Sequence, residues 1–408
     1  MSGALAQLQA LRATAANRQA LDEFLARGVP TARDENWRYA NLRPLDKASF
    51  APPPVPASVD SALLPEALAD HARYVFVDGL FAAVLSSPAS QSGLAVLTGR
   101  APALPATDGA DQGFALLNHA FAADGADIRV AADTRAAVEV VFLSTGTAAA
   151  YPRLSVRLEA NARLSLVERH LAPAGAVGLV DTAVNLVVGD GATLEHYRLQ
   201  QAGGVTWIDT LSASIGGAAS YNTHLLQLGA VSARSTAHVR LARPAAALEF
   251  NAVAVADERQ VLDGMLVVEH QAPHTRTVEN FRGIAGGRSR IAFNGKINVR
   301  DSATKADSAQ SLRGLIAGPE AEIDVRPQLE IYTDDVRCSH GATTGKLDDN
   351  MLFYLLSRGL EPQVAQRLLK WAFITDIMAR IALPQLRQQA QLALVGHMQD
   401  TAALKELL

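Results

Sequence analysis

Cysteine is almost missing from this chain: 408 residues contain one, Cys338. That excludes an internal disulfide, and it excludes a thiolate-rich metal site built from this chain alone. So little thiol chemistry fits a reducing cytosol, and a cytoplasmic protein is expected. Aromatic residues are also scarce, at 5%, although 49% of the sequence is hydrophobic and alanine supplies much of it. The core must therefore be assembled from small side chains. No run of about 18 apolar residues occurs, so no membrane span is expected. Neither sign of charge dominates, and a net charge of −4 suggests no surface for nucleic acid or an anionic membrane. The opening stretch MSGALAQLQALRATAANRQ lacks a basic segment ahead of a hydrophobic core. It reads as an amphipathic helix rather than a signal peptide.

What is present falls into three regions. Leu5, Leu8, Leu11, Leu21, Phe24 and Leu25 recur near helical spacing until Gly28-Val29-Pro30 stops the pattern. The run APPPVPASVD (51–60) then predicts an extended linker, and YVFV (74–77) before Asp78-Gly79 predicts a strand and turn. From about Asp127 to Gly345 strict alternation replaces helical spacing. Leu154, Val156 and Leu158 alternate with polar neighbours, as do Ile291, Phe293, Gly295, Ile297 and Val299. Turn-like segments precede these strands. Counted from Asn161, Gly191, Gly217, Ala245, Gly287 and Glu320, the successive intervals in sequence number are 30, 26, 28, 42 and 33. Such a loose period predicts stacked units in a β-helix or β-solenoid, with a β-sandwich as the alternative. After Gly345 helices return. Asp348 or Asp349 can cap NMLFYLLSR, Gly359 suits its end, and Pro362 and Pro384 open two further helices. The apolar face of the second (Val364, Leu368, Trp371, Ile374, Met378, Ile381) can serve core packing or docking of another subunit.

Chemistry concentrates in TDDVRCSHGATTGKLDD (333–349), which holds the single cysteine and a histidine two positions later. Gly341 to Lys346 is not a phosphate-binding loop. Its glycines are one position too close together, and Leu347 stands where a Mg²⁺-binding hydroxyl is needed. A Cys338–His340 nucleophile pair is disfavoured on a strand, where residues i and i+2 lie about 7 Å apart on one face. A pair of ligands aimed at a shared metal or cluster fits that spacing better, since sulfur and imidazole both suit iron–sulfur or zinc chemistry. Two donors are too few for a closed site, and a small buried thiol beside a surface histidine is the plain alternative. Elsewhere His170, His196 and His224 recur at intervals close to that of the turns. They are expected to stack as a polar ladder on the outside of the solenoid. His270-Gln-Ala-Pro-His274 is read as a loop.

The segment PQLEIYTDDVRCSHGATTGKLDDNMLFYLLSRGL (327–360) closely resembles the hallmark of the SufB/SufD family of iron–sulfur cluster assembly proteins. FNGKINVRDSATKADSAQSLRGLI (293–316), LNHAFAADGADIRV (117–130) and DENWRYANL (34–42) resemble further parts of that family. The single cysteine and the W-R-Y signature place the resemblance on its SufD branch. The resemblance implies a mainly β protein, a right-handed parallel β-helix core flanked by N-terminal and C-terminal helical domains. These are expected at 1–110 (mostly helical, with the proline-rich linker), 111–346 (β-helix) and 347–408 (helical, ATPase-docking). It implies pairing with a SufB-type scaffold protein through the β-helix, docking of a SufC-type ABC ATPase on the C-terminal helices, and no catalytic activity of the chain's own. His340 and Cys338 would face the partner and complete ligation of a transient iron–sulfur cluster, with none bound stably by the isolated chain. A homodimer is expected as the form without partners. The readings that compete are a polysaccharide-active β-helix enzyme, against which the low aromatic content argues, and a scaffold holding a cluster alone, against which the single cysteine argues.

Overall fold

The computed structural model describes residues 2–53, 55, 57–103, 113–146 and 148–397. The expected boundary at 110/111 and the last residues of the chain, 398–408, lie outside them. The alternating middle of the sequence winds into a parallel β-solenoid of eight rungs. One long sheet, A, stacks Arg135–Leu143, Arg163–Leu171, Thr193–Gln200, Ser220–Gln227, Ala247–Ala256, Arg276–Ala285, Asp307–Ile316 and Arg337–Gly345. The facing sheet, B, stacks Ala126–Val130, Arg153–Leu158, Leu179–Val188, Thr206–Ile215, Ser232–Leu241, Val261–His270, Arg290–Val299 and Glu322–Ile331. The chain adds one strand to each sheet in turn, and all these neighbours pair in parallel. Inward residues of both sheets, among them Leu154, Val156, Leu158, Ile291, Phe293, Ile297 and Val299, form one continuous buried core.

The corners set the period. At the corner leading from sheet B to sheet A, a residue with positive φ recurs once per rung, at Asn161, Gly191, Ala218, Ala245, His274 and Lys305. These positions are nearly evenly spaced. The long step from Ala245 to Gly287 counted in the sequence arises because Gly287 and Glu320 occupy the opposite corner, from sheet A to sheet B. Residues at the first corner must turn the chain in the left-handed region, which Gly and Asn tolerate best. Two different corners share that chemistry, so turn residues alone could not separate them.

The N-terminal segment packs on the outer face of sheet B. Its helical pattern is broken into α1 (Ser2–Ala10) and α2 (Arg18–Arg27), because Asn17 leaves the helix and its side chain accepts from the Ala20 N–H, while Gly28 at φ +77° ends α2. With α3 (Gly113–Phe121) these helices bury Leu8, Leu21, Phe24, Trp37 and Phe114 against Leu179 and Ile208 on the outer face of sheet B. The expected strand and turn form: Ala72–Val77 joins sheet A beside Arg135–Leu143 and turns back antiparallel through Leu80–Phe81. Leu94–Leu97 runs antiparallel along the first strand of sheet B.

The C-terminal helices lie on the outer face of sheet A. In α4 (Asp349–Ser357), Asp348 accepts from the N–H groups of Asn350 and Met351 and caps the helix as expected. The last turns of α5 (Pro362–Met378) and the inner face of α6 (Pro384–His397) bury Ile374, Ile377, Met378, Leu386, Ala390 and Leu394 over Val167, Leu199, Leu226, Val253 and Ile284. Val364, Leu368 and Trp371, on the earlier turns of α5, are only half-buried. Among the described residues no helix is long and apolar enough to cross a membrane.

Candidate functional site at the open end of the solenoid

The end opposite Leu80–Phe81 and Leu94–Leu97 is not covered by a further strand. Arg337–Gly345 is the outermost strand of sheet A and Glu322–Ile331 that of sheet B. Cys338 and His340 both sit on the former. The thiol of Cys338 is half-buried against the solenoid core beside Val336 and Leu329, whereas His340 is exposed. Ion pairs ring the end: Lys305 with Asp335 at 2.8 Å, Lys296 with Glu330 at 2.7 Å, Arg337 with Asp307 at 3.4 Å. Ile331 and Tyr332 are exposed beside them.

Register places both candidate ligands on the inward-facing columns of sheet A. Leu248, Thr277, Ser308 and Cys338 are successive partners, and so are Phe250, Glu279, Gln310 and His340. Parallel neighbours stand about 4.8 Å apart, so behind each candidate ligand lie two polar side chains, Ser308 and Thr277 or Gln310 and Glu279. The backbone of this strand is half free. Arg337 N–H donates to Ala306 O at 2.9 Å, which fixes the phase of the ladder. Residues 337, 339, 341 and 343 bond inward, and 338, 340, 342 and 344 turn their N–H and C=O to the open side. Gly341-Ala-Thr-Thr-Gly345-Lys346 runs through this extended strand, which is no phosphate cradle. Chemically the site offers one thiolate and one imidazole at the rim of an unpaired sheet edge. Among the described residues no three His, Cys, Asp or Glu side chains are grouped to hold a metal ion. A tetrahedral iron or zinc centre here needs further donors from outside this group.

Comparison with known proteins identifies the family. The sequence profile described as SUF system FeS cluster assembly, SufBD core domain, matches residues 141–373, a span that includes Cys338 and His340. The iron–sulfur cluster assembly protein SufD of Escherichia coli is 31% identical over 396 residues, covering 93% of this chain and 91% of that protein. A SufBD family protein of Synechocystis is 29% identical, covering 88% of this chain and 85% of its own length. The chain belongs to the SufBD family. It is a SufD-like iron–sulfur cluster assembly protein, and this membership favours the assembly reading over the polysaccharide one.

Within this SufBD chain the histidine ladder does not form. His170 is in register with Gln200, His196 with Leu166 and Thr223, and His224 with Tyr197 and Asn251. The strands are offset by amounts that differ from the sequence spacing, so the three rings fall in three columns. All three are buried: they are 2%, 0% and 9% exposed, and His224 alone is on the outer face of sheet A, beneath the C-terminal helices. His224 stacks on Tyr197 at 5.2 Å near the C-terminal helices, and burial pushes it down to about 4. His170 and His196 point into the lumen, where each meets Glu168, at 2.6 and 2.9 Å. Arg198 bridges Glu168 and Asp209, and Asp209 accepts from Ser235. Burial works to raise the Glu168 carboxyl, but Arg198 and the two histidines outweigh it and hold it well below the usual range. Sequence reasoning missed this internal network, because inward polar residues on a strand look like outward ones until the face is known. His270 and His274 do form part of a corner. His270 is buried between Thr275 and Thr277 (2.8 and 2.9 Å), with no metal-binding partner among the described residues.

Proposed function

We propose that this chain is a non-catalytic, cytoplasmic scaffold subunit of an iron–sulfur cluster assembly complex. Its open end pairs with a SufB-type scaffold protein, and an iron–sulfur cluster under assembly is held at that junction as cargo. His340, with Cys338 in support, supplies donors from this side, and the partner supplies the remaining thiolates. The isolated chain, with one thiolate, holds no stable cluster. A SufC-type ABC ATPase docks on the C-terminal helices. The observation that carries the reading is the coincidence of three features on one strand: the single cysteine, an exposed histidine on the same face, and an unpaired backbone edge. An unpaired edge is a ready template for another chain.

The test is His340→Ala in the complex co-expressed with its scaffold and ATPase partners. The ring is exposed and leaves no cavity, so stability should change by no more than about 0.5 kcal/mol. The complex should assemble, and its iron and sulfide per complex should drop sharply. Cys338→Ser should act in the same direction less severely. Unchanged iron in an intact complex would refute the assignment of His340.

A further inference from the structure

Two buried polar atoms directly behind the site make no hydrogen bond within the chain. Gln310 is 5% exposed and Ser308 2% exposed, yet Gln310 Oε1 and Ser308 Oγ are unpaired. Both are in register with the candidate ligands, Ser308 behind Cys338 and Gln310 behind His340. Buried polar atoms are almost always paired, and each exception asks for a reason.

For Gln310 the orientation of the amide is fixed from within. Nε2 donates to Glu279 Oε2 at 2.8 Å and to the Gly295 carbonyl at 2.9 Å, which uses both N–H groups. Turning the amide over would set Oε1 against the Gly295 carbonyl. Glycine at 295 is what leaves room for this arrangement: a Cβ there would lie 2.1 Å from Glu279 Oε1 and 2.8 Å from Gln310 Nε2. Oε1 is thus left for a donor other than these. The next residue outward in its column is His340, whose backbone lies one strand spacing of about 4.8 Å away; its exposed ring makes no hydrogen bond to Oε1 in the orientation seen here.

We propose that Gln310 is a positioning residue for His340. When the exposed ring turns inward along its column, Oε1 accepts the N–H of one ring nitrogen, which selects a single tautomer and leaves the other nitrogen's lone pair free for a ligand at the open end. Glu279 and Gly295 act one step further back by holding the amide in that orientation. The inference rests on the reading of His340 as a donor to the cluster.

The experiment uses the full chain labelled with ¹⁵N-histidine. Ring nitrogen shifts are read by long-range ¹H–¹⁵N correlation, and His340 is assigned by its loss in His340→Ala. In the unsubstituted chain His340 should show one tautomer with a ring N–H protected from solvent exchange. Gln310→Met should lose that protection and return the ring to the averaged tautomers of free imidazole. Gln310→Glu, which keeps an acceptor oxygen, should restore the single tautomer. Averaged tautomers in the unsubstituted chain overturn the proposal whether or not any variant folds, and so does an unchanged ring in a folded Gln310→Met. None of these readouts involves iron. A fixed tautomer beside an undiminished iron content in the His340→Ala complex would sink the ligand reading and leave the positioning intact.

Discussion

Glu279 stands inside the solenoid with no exposed surface, one carboxylate oxygen bonded to Gln310 and the other unpaired. Burial raises its carboxyl from 4.5 to about 7, and the Gln310 hydrogen bond only partly opposes this. The folded chain therefore keeps a proton that the unfolded chain gives up above about pH 4.5. Between those two values the unfolded state binds fewer protons, so the stability contributed by Glu279 is complete at low pH and is lost as pH rises towards 7. At about 1.4 kcal/mol per pH unit the loss comes to about 3 kcal/mol. Glu279→Gln, which keeps the acceptor for Gln310 and cannot ionise, should match the parent chain in urea denaturation near pH 4.5. Above pH 7 it should be more stable by about that amount. Equal differences at both pH values would show that the carboxyl is not held neutral. At this scale Cys338 and His340 were legible because one is unique in the chain and the other shares its strand face. Glu279, Gln310 and Ser308 were not. Their significance lies in a register between strands a full rung apart in the chain, and the sequence carries that register only as small variations in corner length.

The C-terminal helices divide their apolar residues between a buried and an exposed set. Ile374, Ile377, Met378, Leu386 and Leu394 are buried against sheet A, while α4 leaves Phe353 72% exposed, Tyr354 53% and Met351 52%. Buried aliphatic side chains cost about 2–5 kcal/mol when cut to alanine, and exposed ones little. Ile374→Ala should thus lower the denaturation free energy by an amount in that range. Phe353→Ala should change it by no more than about 0.5 kcal/mol, as expected of an exposed site. The same substitution should weaken capture of a SufC-type ATPase, measured by pull-down from the co-expressed complex. Normal capture by Phe353→Ala and by Phe353→Ala combined with Tyr354→Ala would move the docking surface off α4. The helices themselves were readable, since Asp348, Gly359, Pro362 and Pro384 punctuate them by local chemistry alone. The division of labour along α5 was not. Its apolar face runs unbroken through Val364, Leu368 and Trp371, and only the place where it meets sheet A decides which turns are covered. The N-terminal helix was similarly readable in kind, but its break depends on Asn17 accepting from Ala20 instead of continuing the helix.

Taken whole, the solenoid has two unlike ends. Strand Leu94–Leu97 and the hairpin at Asp78-Gly79 close one end, whereas the other presents the last strands of both sheets. A long unpaired edge is a liability unless a partner covers it, and on the proposed reading the partner is a SufB-type chain or, without it, a second copy of this one. Ala342 offers a selective test. Its backbone belongs to the set that turns away from the neighbouring strand, so Ala342→Pro removes an N–H that no internal ladder bond uses. Proline is tolerated in that position of an edge strand. The preceding Gly341, with nothing within 4 Å of an added Cβ, accommodates the extended geometry that proline imposes before it. Melting of the isolated chain should therefore stay close to that of the parent, while an incoming strand loses a donor and meets the ring. Co-purification with the scaffold partner should fall, as should concentration-dependent self-association in sedimentation, with ATPase capture by the C-terminal helices unchanged. Ser339→Pro, on the inward-bonding set of the same strand, removes a ladder bond and should instead lower the melting temperature. If Ala342→Pro leaves both associations intact, the pairing edge lies elsewhere, and the strand carrying Cys338 and His340 faces solvent rather than a partner.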